Sequence, residues 1–203
     1  WGPGGGVGAP LATEAPRPVL PAVTDPVTGL ERQALAVMVQ LPLMAGAAGA
    51  DSIEAAAFAN PVHRAVFEAV QAAGGVARAL DEVRALAVDG RGREEVERAA
   101  LARWVEQVRL GAGPEVDAAL TALAVVELPV AGRRGAGEGL DADSAERYAR
   151  DVITSLARMG VNRRLTELRG RQRRMSPQDE GYREVFEEIV GLENKRMQLS
   201  MRS

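Results

Sequence analysis

The sequence predicts an all-α protein, in which a six-helix bundle is followed by a long C-terminal antiparallel helical hairpin. Apolar side chains recur at spacings of three and four residues from Thr28 onward, which is the period of a helix with one buried face. No convincing run of alternating β-branched residues is present, and alanine, a strong helix former, is abundant. Capping residues, glycines and prolines divide the apolar segments at short intervals, which indicates a compact bundle.

Residues 1–27 are rich in proline and glycine and lack apolar periodicity, so they are predicted to form a linker. The spacing Gly4-x-Gly6-x-Gly8 could belong to a phosphate-binding loop, but no predicted strand precedes it and no helix directly follows it. The segment begins without an initiator methionine or a charged signal-peptide region. We therefore expect the chain to be a fragment of a longer protein.

The first bundle helices are predicted from their capping residues. Thr28-x-x-Glu31 has the spacing of a capping box that opens the first helix, and Pro42 lies near the end of that helix. The apolar stripe of this helix is wide, so the helix is predicted to be largely buried. A short second helix is predicted over residues 52–58, with Asp51 as its N-cap.

Asn60 and Pro61 predict the start of a third helix, as an N-cap followed by proline at the first helical position, and Gly74-Gly75 predicts its end. The same punctuation places the fourth, fifth and sixth helices at about 76–88, 93–110 and 114–128. The fifth helix is predicted to bury Val96, Ala100, Trp104 and Val108. A glycine-rich joint over residues 129–140 closes a predicted bundle domain of residues 28–140.

Two long helices, at about 141–175 and 177–199, are predicted to form the hairpin domain of residues 141–203, with Ser176 as the second N-cap. At 1.5 Å per residue the first helix is about 52 Å long and the second about 35 Å. Because the first helix is longer, its early part is predicted to pack on the bundle. After Gly160 a single apolar seam remains to face the second helix.

Composition excludes several classes of site. The 203 residues include no cysteine and one histidine, which rules out disulfides and the usual Cys/His zinc sites. The single lysine, Lys195, follows Asn194, so no Walker A loop is possible. No uncharged apolar stretch of about 18 residues is present to cross a membrane.

No catalytic arrangement is visible in the sequence. His63 is the one candidate for proton transfer, but no serine nucleophile motif accompanies it, so it is interpreted as a structural histidine. Asp141, Asp143 and Glu146 could suggest a metal site, yet near a helix N-terminus they are more simply favourable capping charges. We therefore expect no enzyme, no cofactor and no metal in this chain.

Opposite charges divide the hairpin. Residues 163–174 hold six arginines against one glutamate, and residues 175–193 hold six carboxylates against one arginine. The arginines could contact nucleic acid. However, the aromatic residues needed for base stacking are missing, and the two blocks complement each other across the turn. Ion pairing within the hairpin is therefore favoured over nucleic-acid binding, and unpaired arginines could still contact an acidic protein segment.

Three segments together resemble one family. The run from Leu30 to Leu43 has a charged residue leading a leucine-rich helix that ends in Gln40-x-Pro42, and it resembles the start of the C-terminal domain of bacterial DnaG-type primases. The run from Phe58 to Ala69 is similar to that family's Phe-x-x-Pro-x-His-Arg segment. The ending from Leu168 to Leu199 resembles the primase tail. The resemblance covers residues 28–203 in the family's order.

The resemblance implies a non-catalytic interaction domain that binds the N-terminal collar of the hexameric replicative helicase and couples RNA primer synthesis to replication in the cytoplasm. Zinc and magnesium would be used by the parent primase in domains that precede this region. The residues of the hairpin expected to contact the helicase are Arg173, Arg174, Gln178, Tyr182, Lys195 and Arg196. Some family members also bind the acidic tail of single-strand DNA-binding protein, and Arg32 matches such a position.

Two alternatives stay open on the sequence alone. The chain could be the related N-terminal domain of a replicative helicase, although its linker lies in front of the helices rather than behind them. It could also be a helical domain that binds nucleic acid directly, although its net charge is −3.

Overall fold

The computed structural model describes residues 20–87, 92–129 and 142–201, and within these ranges the regular structure is entirely helical. The all-α prediction is confirmed. The eight α-helices of the described ranges are α1 (Pro26–Gln40), α2 (Pro42–Ala47), α3 (Pro61–Ala72), α4 (Ala77–Leu86), α5 (Arg93–Leu110), α6 (Pro114–Ala124), α7 (Ala142–Gln172) and α8 (Tyr182–Met201). Gly4-x-Gly6-x-Gly8, Asp141, and the predicted boundary between bundle and hairpin at residues 140 and 141 lie outside these ranges.

Helix α1 begins earlier than predicted. The carboxylate of Asp25 accepts the Thr28 N–H at 2.9 Å, so Asp25 is the N-cap and Pro26 takes the first helical position. This hydrogen bond from the Thr28 backbone is the main cause that lowers the pKa of Asp25. The predicted capping box of Thr28 and Glu31 is wrong, because Glu31 is fully buried and bonds to a distant segment instead.

The predicted helix over residues 52–58 is also wrong. The chain forms two single-turn 3₁₀ helices there, Ala50–Ser52 and Ala55–Ala57, and residues after Pro42 form the short helix α2. Asp51 caps a helix, but a distant one. Its carboxylate accepts the N–H groups of Val76 at 2.8 Å and Ala77 at 2.9 Å, at the start of α4. A long-range acceptor thus replaces the local cap that the sequence suggested.

The local signals of α3 and α5 are confirmed, but α6 ends at Ala124 rather than just before Pro129, where the Gln40 amide donates to the carbonyls of Leu123 and Val126. The Asn60 side chain accepts the N–H groups of Val62 and His63, with Pro61 at the first position of α3. Gly74 and Gly75 follow that helix with φ of +92° and +69°, values that favour glycine. Helix α5 has its predicted bounds, and all four of its predicted core residues are buried.

One main core joins the bundle to the first half of α7. Helix α1 is central to it, since its residues 34–39 are buried and it contacts α2, α3, α6 and α7. Helix α7 contributes Ala145, Ala149, Val152, Ile153 and Leu156 to the same core. The prediction that the early part of this long helix packs on the bundle is therefore confirmed.

A second, smaller core lies inside the hairpin. Val161, Leu165 and Leu168 of α7 pack against Val185 and Ile189 of α8, with Met175, Leu192 and Leu199 at the margin. This is the single seam predicted after Gly160. None of the described helices combines the length and the apolar character that a membrane span needs.

The turn of the hairpin is longer than predicted. Helix α7 ends at Gln172 rather than Met175, and α8 begins at Tyr182 rather than Pro177. Ser176 does not cap α8: its N–H donates to the Asp179 carboxylate at 2.8 Å, inside the turn. Gly181, with φ of +83°, immediately precedes α8 and permits the change of direction.

Candidate functional site

Helix α8 carries two apolar rows on different faces. One row packs on α7. The other row is exposed, with Phe186, Val190, Met197 and Met201 exposed by 50%, 44%, 57% and 73%. At 100° per residue these four side chains fall within about 60° of arc. We call them the α8 stripe. A single exposed apolar residue is ordinary, but a row of them on one helix marks an interaction surface.

Ion pairs hold the two helices of the hairpin together on either side of its apolar seam. Arg164 Nε lies 2.8 Å from Glu188 Oε1, and Arg169 pairs with Glu193. The hydrogen bond to Glu188 is the main cause that raises the pKa of Arg164. Each exposed pair contributes about 0.2–1 kcal/mol. The predicted complementarity within the hairpin is confirmed for these two arginines.

The other four arginines of the 163–174 block are not neutralised in this way. Among the described residues, no carboxylate lies within ion-pair distance of Arg163, Arg171, Arg173 or Arg174. Three of them are near the turn, where their side chains are exposed. The turn also carries the exposed carboxylates of Asp179 and Glu180, so the tip of the hairpin keeps a small surplus of positive charge.

The six expected helicase contacts fall into two groups. Arg173, Arg174 and Gln178 are exposed in the turn, and Tyr182 is the first residue of α8. Lys195 and Arg196 lie about 20 Å further along α8, at 1.5 Å per residue. The structure does not bring the two groups together, and the α8 stripe runs between and beyond them.

The second group is already engaged in ion pairs. Lys195 Nζ lies 3.2 Å from Glu54 Oε1, which ties the end of α8 to the 3₁₀ segment of the bundle. Arg196 lies 2.5 Å from Glu193. These two cations therefore have structural partners, whereas the arginines of the tip are free of carboxylates in the described chain.

His63 has a structural position. It is fully buried, and its Nδ1 lies 3.0 Å from Glu31 Oε2. Glu31 also accepts the N–H groups of Ala59 at 2.5 Å and Asn60 at 3.2 Å. These contacts join α1 to the start of α3. Because no solvent reaches the pair, it is not accessible to a substrate. The described residues contain no cluster of three potential metal ligands.

Comparison with known proteins agrees with this architecture. The family model described as "DNA primase DnaG DnaB-binding" matches residues 31–184. The chain belongs to this family. The resemblance drawn from the sequence is thereby confirmed, and so is the reading as a non-catalytic helicase-binding domain over the two alternatives.

Two curated DNA primases are similar to the chain. That of Mycobacterium leprae is 28% identical over 194 residues, covering 95% of this chain and 25% of the relative. That of Mycolicibacterium smegmatis is 28% identical over 194 residues, covering 93% and 26%. The chain thus spans about a quarter of the length of these relatives.

A solved structure shares the fold. The helicase-binding domain of primase from Mycobacterium tuberculosis matches with a TM-score of 0.55 and 25% sequence identity, over 86% of this chain and 91% of that one. The partner of this domain family is the replicative helicase.

The contacts predicted from the sequence are polar residues of the hairpin and do not include the α8 stripe. The signal was present, because residues 186, 190, 197 and 201 follow helical spacing. It was hidden because the buried row of α8 is apolar as well, and only the packing on α7 distinguishes the two rows.

Arg32, the expected contact for the tail of single-strand DNA-binding protein, is half-buried in α1. Its Nε is enclosed and has no hydrogen-bond partner in the described part of the chain. Beside the start of α1 lies an open groove of about 550 Å³ that reaches α7, with Val27, Met159, Asn162 and Arg163 in its lining.

Proposed function

We propose that this helicase-binding domain contacts the helicase through the hairpin, with the α8 stripe as the apolar centre of the contact. The observation that supports this proposal is the row of four large apolar side chains that α8 exposes to solvent. Protein interfaces bury apolar and aromatic anchors at the centre and keep polar groups at the rim. The stripe has this composition, and a phenylalanine and two methionines can adapt to a helical partner surface.

The polar candidates fit the rim of this contact. Tyr182 begins α8 just before Phe186, and Arg196 lies beside Met197. The tip residues Arg173, Arg174 and Gln178 extend the rim to the turn. Exposed rim charges mainly affect the association rate and its dependence on salt, whereas the buried anchors determine the dissociation rate.

The test is calorimetric titration of the 203-residue chain into the cognate replicative helicase, at two salt concentrations. A Phe186→Ala, Met197→Ala double variant is expected to weaken binding by at least about thirtyfold, as loss of central anchors does. The matched control is Leu110→Ala with Val125→Ala, which removes side chains of the bundle that are 84% and 80% exposed. The control should leave the affinity unchanged.

Two results would overturn the proposed contact. Stripe variants that bind as well as the unaltered chain would remove the α8 stripe from the interface. If Arg173→Ala with Arg174→Ala then abolished binding, the contact would belong to the tip alone. Circular dichroism of each variant checks that the helices persist.

We further propose that the parent protein is a primase, and that this domain couples its RNA primer synthesis to the helicase at the replication fork in the cytoplasm. Zinc and magnesium would serve the parent in domains outside this chain. An unstructured tether of about 25 residues would span roughly 25–30 Å and would keep a catalytic domain near its template. Cutting the chain before Asp25, the N-cap of α1, should therefore preserve helicase binding and uncouple priming.

The groove between α1 and α7 supports a second partner, the acidic tail of single-strand DNA-binding protein. Val27 and Met159 offer apolar contacts there, and Arg163 offers a cation without a carboxylate partner in the described chain. A labelled tail peptide should bind more weakly to Arg163→Ala than to Arg32→Ala, because Arg163 lines the groove and Arg32 does not. The reverse order would return this role to Arg32, and no binding would exclude it.

A further inference from the structure

The hairpin contains the same short pattern twice, in two different conformations. Each copy has two arginines, one apolar residue and a hydroxyl residue: Arg163-Arg164-Leu165-Thr166 and Arg173-Arg174-Met175-Ser176. The first copy lies inside α7, and the second lies in the turn between α7 and α8. The Thr166 and Ser176 hydroxyl groups therefore differ in their hydrogen bonds and in their accessibility to an enzyme.

Thr166 is held in a helix. Its hydroxyl donates to the Asn162 carbonyl at 2.9 Å, and its backbone is part of α7 two residues before the buried Leu168. An enzyme that needs this segment extended would first have to unwind α7 over the seam of the hairpin. That opening costs free energy because it breaks packing as well as hydrogen bonds.

Ser176 is presented in the opposite way. It is exposed and lies outside any helix, and its hydroxyl is 2.5 Å from the side-chain oxygen of Gln178, which is itself exposed. Pro177 follows, which disfavours a helical conformation at Ser176. The Ser176 carbonyl accepts the Asp179 N–H at 2.9 Å, so a kinase that binds an extended segment has to open turn hydrogen bonds but no packed helix.

The charges around Ser176 suit a phosphate. Arg173 and Arg174 precede it by three and two residues, and neither has a carboxylate partner among the described residues. Two such guanidinium groups fit an acidic enzyme groove before the reaction, and they can bind the phosphate oxygens after it. Asp179, whose carboxylate accepts the Ser176 N–H, and the exposed Glu180 are the opposing negative charges of the turn.

We propose that Ser176 is a phosphorylation site, modified by a serine/threonine kinase that recognises arginines before its acceptor. The Ser176 Oγ would attack the γ-phosphorus of a nucleoside triphosphate, forming the new O–P bond while the bond to the β-phosphate oxygen breaks. A nucleoside diphosphate leaves, and the hydroxyl proton passes to the kinase's catalytic carboxylate. The product adds about 1.5–2 negative charges at pH 7 to the tip of the hairpin.

The effect of this modification on helicase binding rests on the proposed function. The phosphate competes for Arg173 and Arg174, which belong to the rim of the proposed helicase contact. Modification at Ser176 is therefore a charge switch that weakens docking without touching the α8 stripe.

The acceptor role is tested with the 203-residue chain, magnesium ATP and the catalytic subunit of cAMP-dependent protein kinase as probe. Initial rates at Ser176 and Thr166 are measured by mass spectrometry, and each is divided by the rate for an unstructured peptide of the same segment. Normalising to the peptide removes the intrinsic preference of the kinase for serine. We expect Ser176 to react within about threefold of its peptide, and Thr166 at least about tenfold more slowly than its own, because α7 must open first.

A Ser176 rate that falls as far below its peptide as that of Thr166 would overturn the proposal. Ser176→Ala should abolish labelling of the turn, and Thr166→Ala should leave it unchanged. In protein isolated from its own cells, a phosphopeptide containing Ser176 is expected, and its consistent absence across growth conditions contradicts the assignment.

The switch is tested by titrating the phosphorylated Thr166→Ala chain into the replicative helicase. We expect binding about three- to tenfold weaker at low salt, with the difference shrinking as salt screens the tip. Equal affinity of the two forms would overturn the switch. If the unphosphorylated chain itself failed to bind, the proposed function would be the part that fails, and the acceptor result would stand independently.

Discussion

Glu31 shows how one buried carboxylate can organise two elements. It lies on α1 with no exposure to solvent, yet its two carboxylate oxygens accept the Ala59 and Asn60 N–H groups and contact the imidazole of His63. Asn60 is also the N-cap of α3. Glu31 therefore fixes both the position and the starting geometry of α3, and these partners explain why a carboxyl group is tolerated in the core.

Replacing Glu31 by alanine should destabilise the fold by about 3 kcal/mol, because two backbone N–H groups and an imidazole lose their acceptor inside the core. Urea denaturation followed by circular dichroism measures the change. The control is Glu68→Ala, on the exposed face of α3, which should stay within about 0.5 kcal/mol of the unaltered chain. A loss below about 1 kcal/mol at Glu31 would contradict this account.

At the scale of elements, the sequence predicted those helices whose boundaries are set by neighbours in the chain. Helix α3 starts at Asn60 and Pro61, and α5 runs from Arg93 to Leu110, as their local signals indicated. The errors at the start of α1 and over residues 52–58 share one cause. Glu31 and Asp51 look like caps of their own helices, but each bonds to backbone N–H groups 25 or more residues away.

The candidate site was likewise predicted only in part, because some of its features depend on contacts between distant residues. Local charge and spacing predicted the hairpin, its apolar seam and the charge complementarity of its two helices. They could not show that Lys195 is engaged by Glu54, a contact between residues 141 positions apart. They also could not separate the exposed row of α8 from the buried row, since that distinction depends on where α7 lies.

Gly160 shows where helix α7 meets the bundle most closely. A Cβ atom there would lie 2.7 Å from the Ala57 Cβ and 3.0 Å from the Ala57 Cα, both shorter than a normal contact. Since one of these atoms belongs to the backbone, a side chain at this position cannot be accommodated by a rotamer change. The absence of a side chain lets the 3₁₀ segment pack directly on α7.

Gly160→Ala should therefore destabilise the chain by about 1–3 kcal/mol through overpacking, even though alanine favours helix. Gly191→Ala in α8 is the matched control, because its Cβ would meet nothing within 4 Å. That substitution should stabilise the chain by about 0.5–1 kcal/mol. Thermal unfolding of both variants checks the opposite signs, and a stabilising Gly160→Ala would mean that α7 and the 3₁₀ segment can separate at little cost.

At the scale of the whole molecule, α7 belongs to two cores. Its buried apolar residues before Gly160 belong to the core of the bundle, and those after Gly160 belong to the core shared with α8. The helix is about 46 Å long, so the hairpin extends well beyond the bundle while sharing a continuous helix with it. Helix α7 thus connects the tip of the hairpin to the bundle, and the ion pair of Lys195 with Glu54 adds a second connection from α8.

This division predicts where the chain can be shortened. A fragment of residues 1–160 keeps every α7 residue of the main core, so it should unfold cooperatively in urea with a helical spectrum. A fragment of residues 1–141 loses Ala145, Ala149, Val152, Ile153 and Leu156, and it should lack a cooperative transition because that core is left open.

The complementary fragment of residues 142–203 should not fold stably by itself, because its own core has only five buried side chains. Circular dichroism and urea titration of the three fragments provide the measurement. Cooperative unfolding of residues 1–141 would place the boundary before α7, as the sequence predicted, and would make the buried half of α7 dispensable. If, of the three fragments, only residues 1–160 unfolded cooperatively, the first half of α7 would be an integral helix of the bundle. The part that docks on the helicase would then be the rest of the hairpin, which extends from a helix held in place by the bundle.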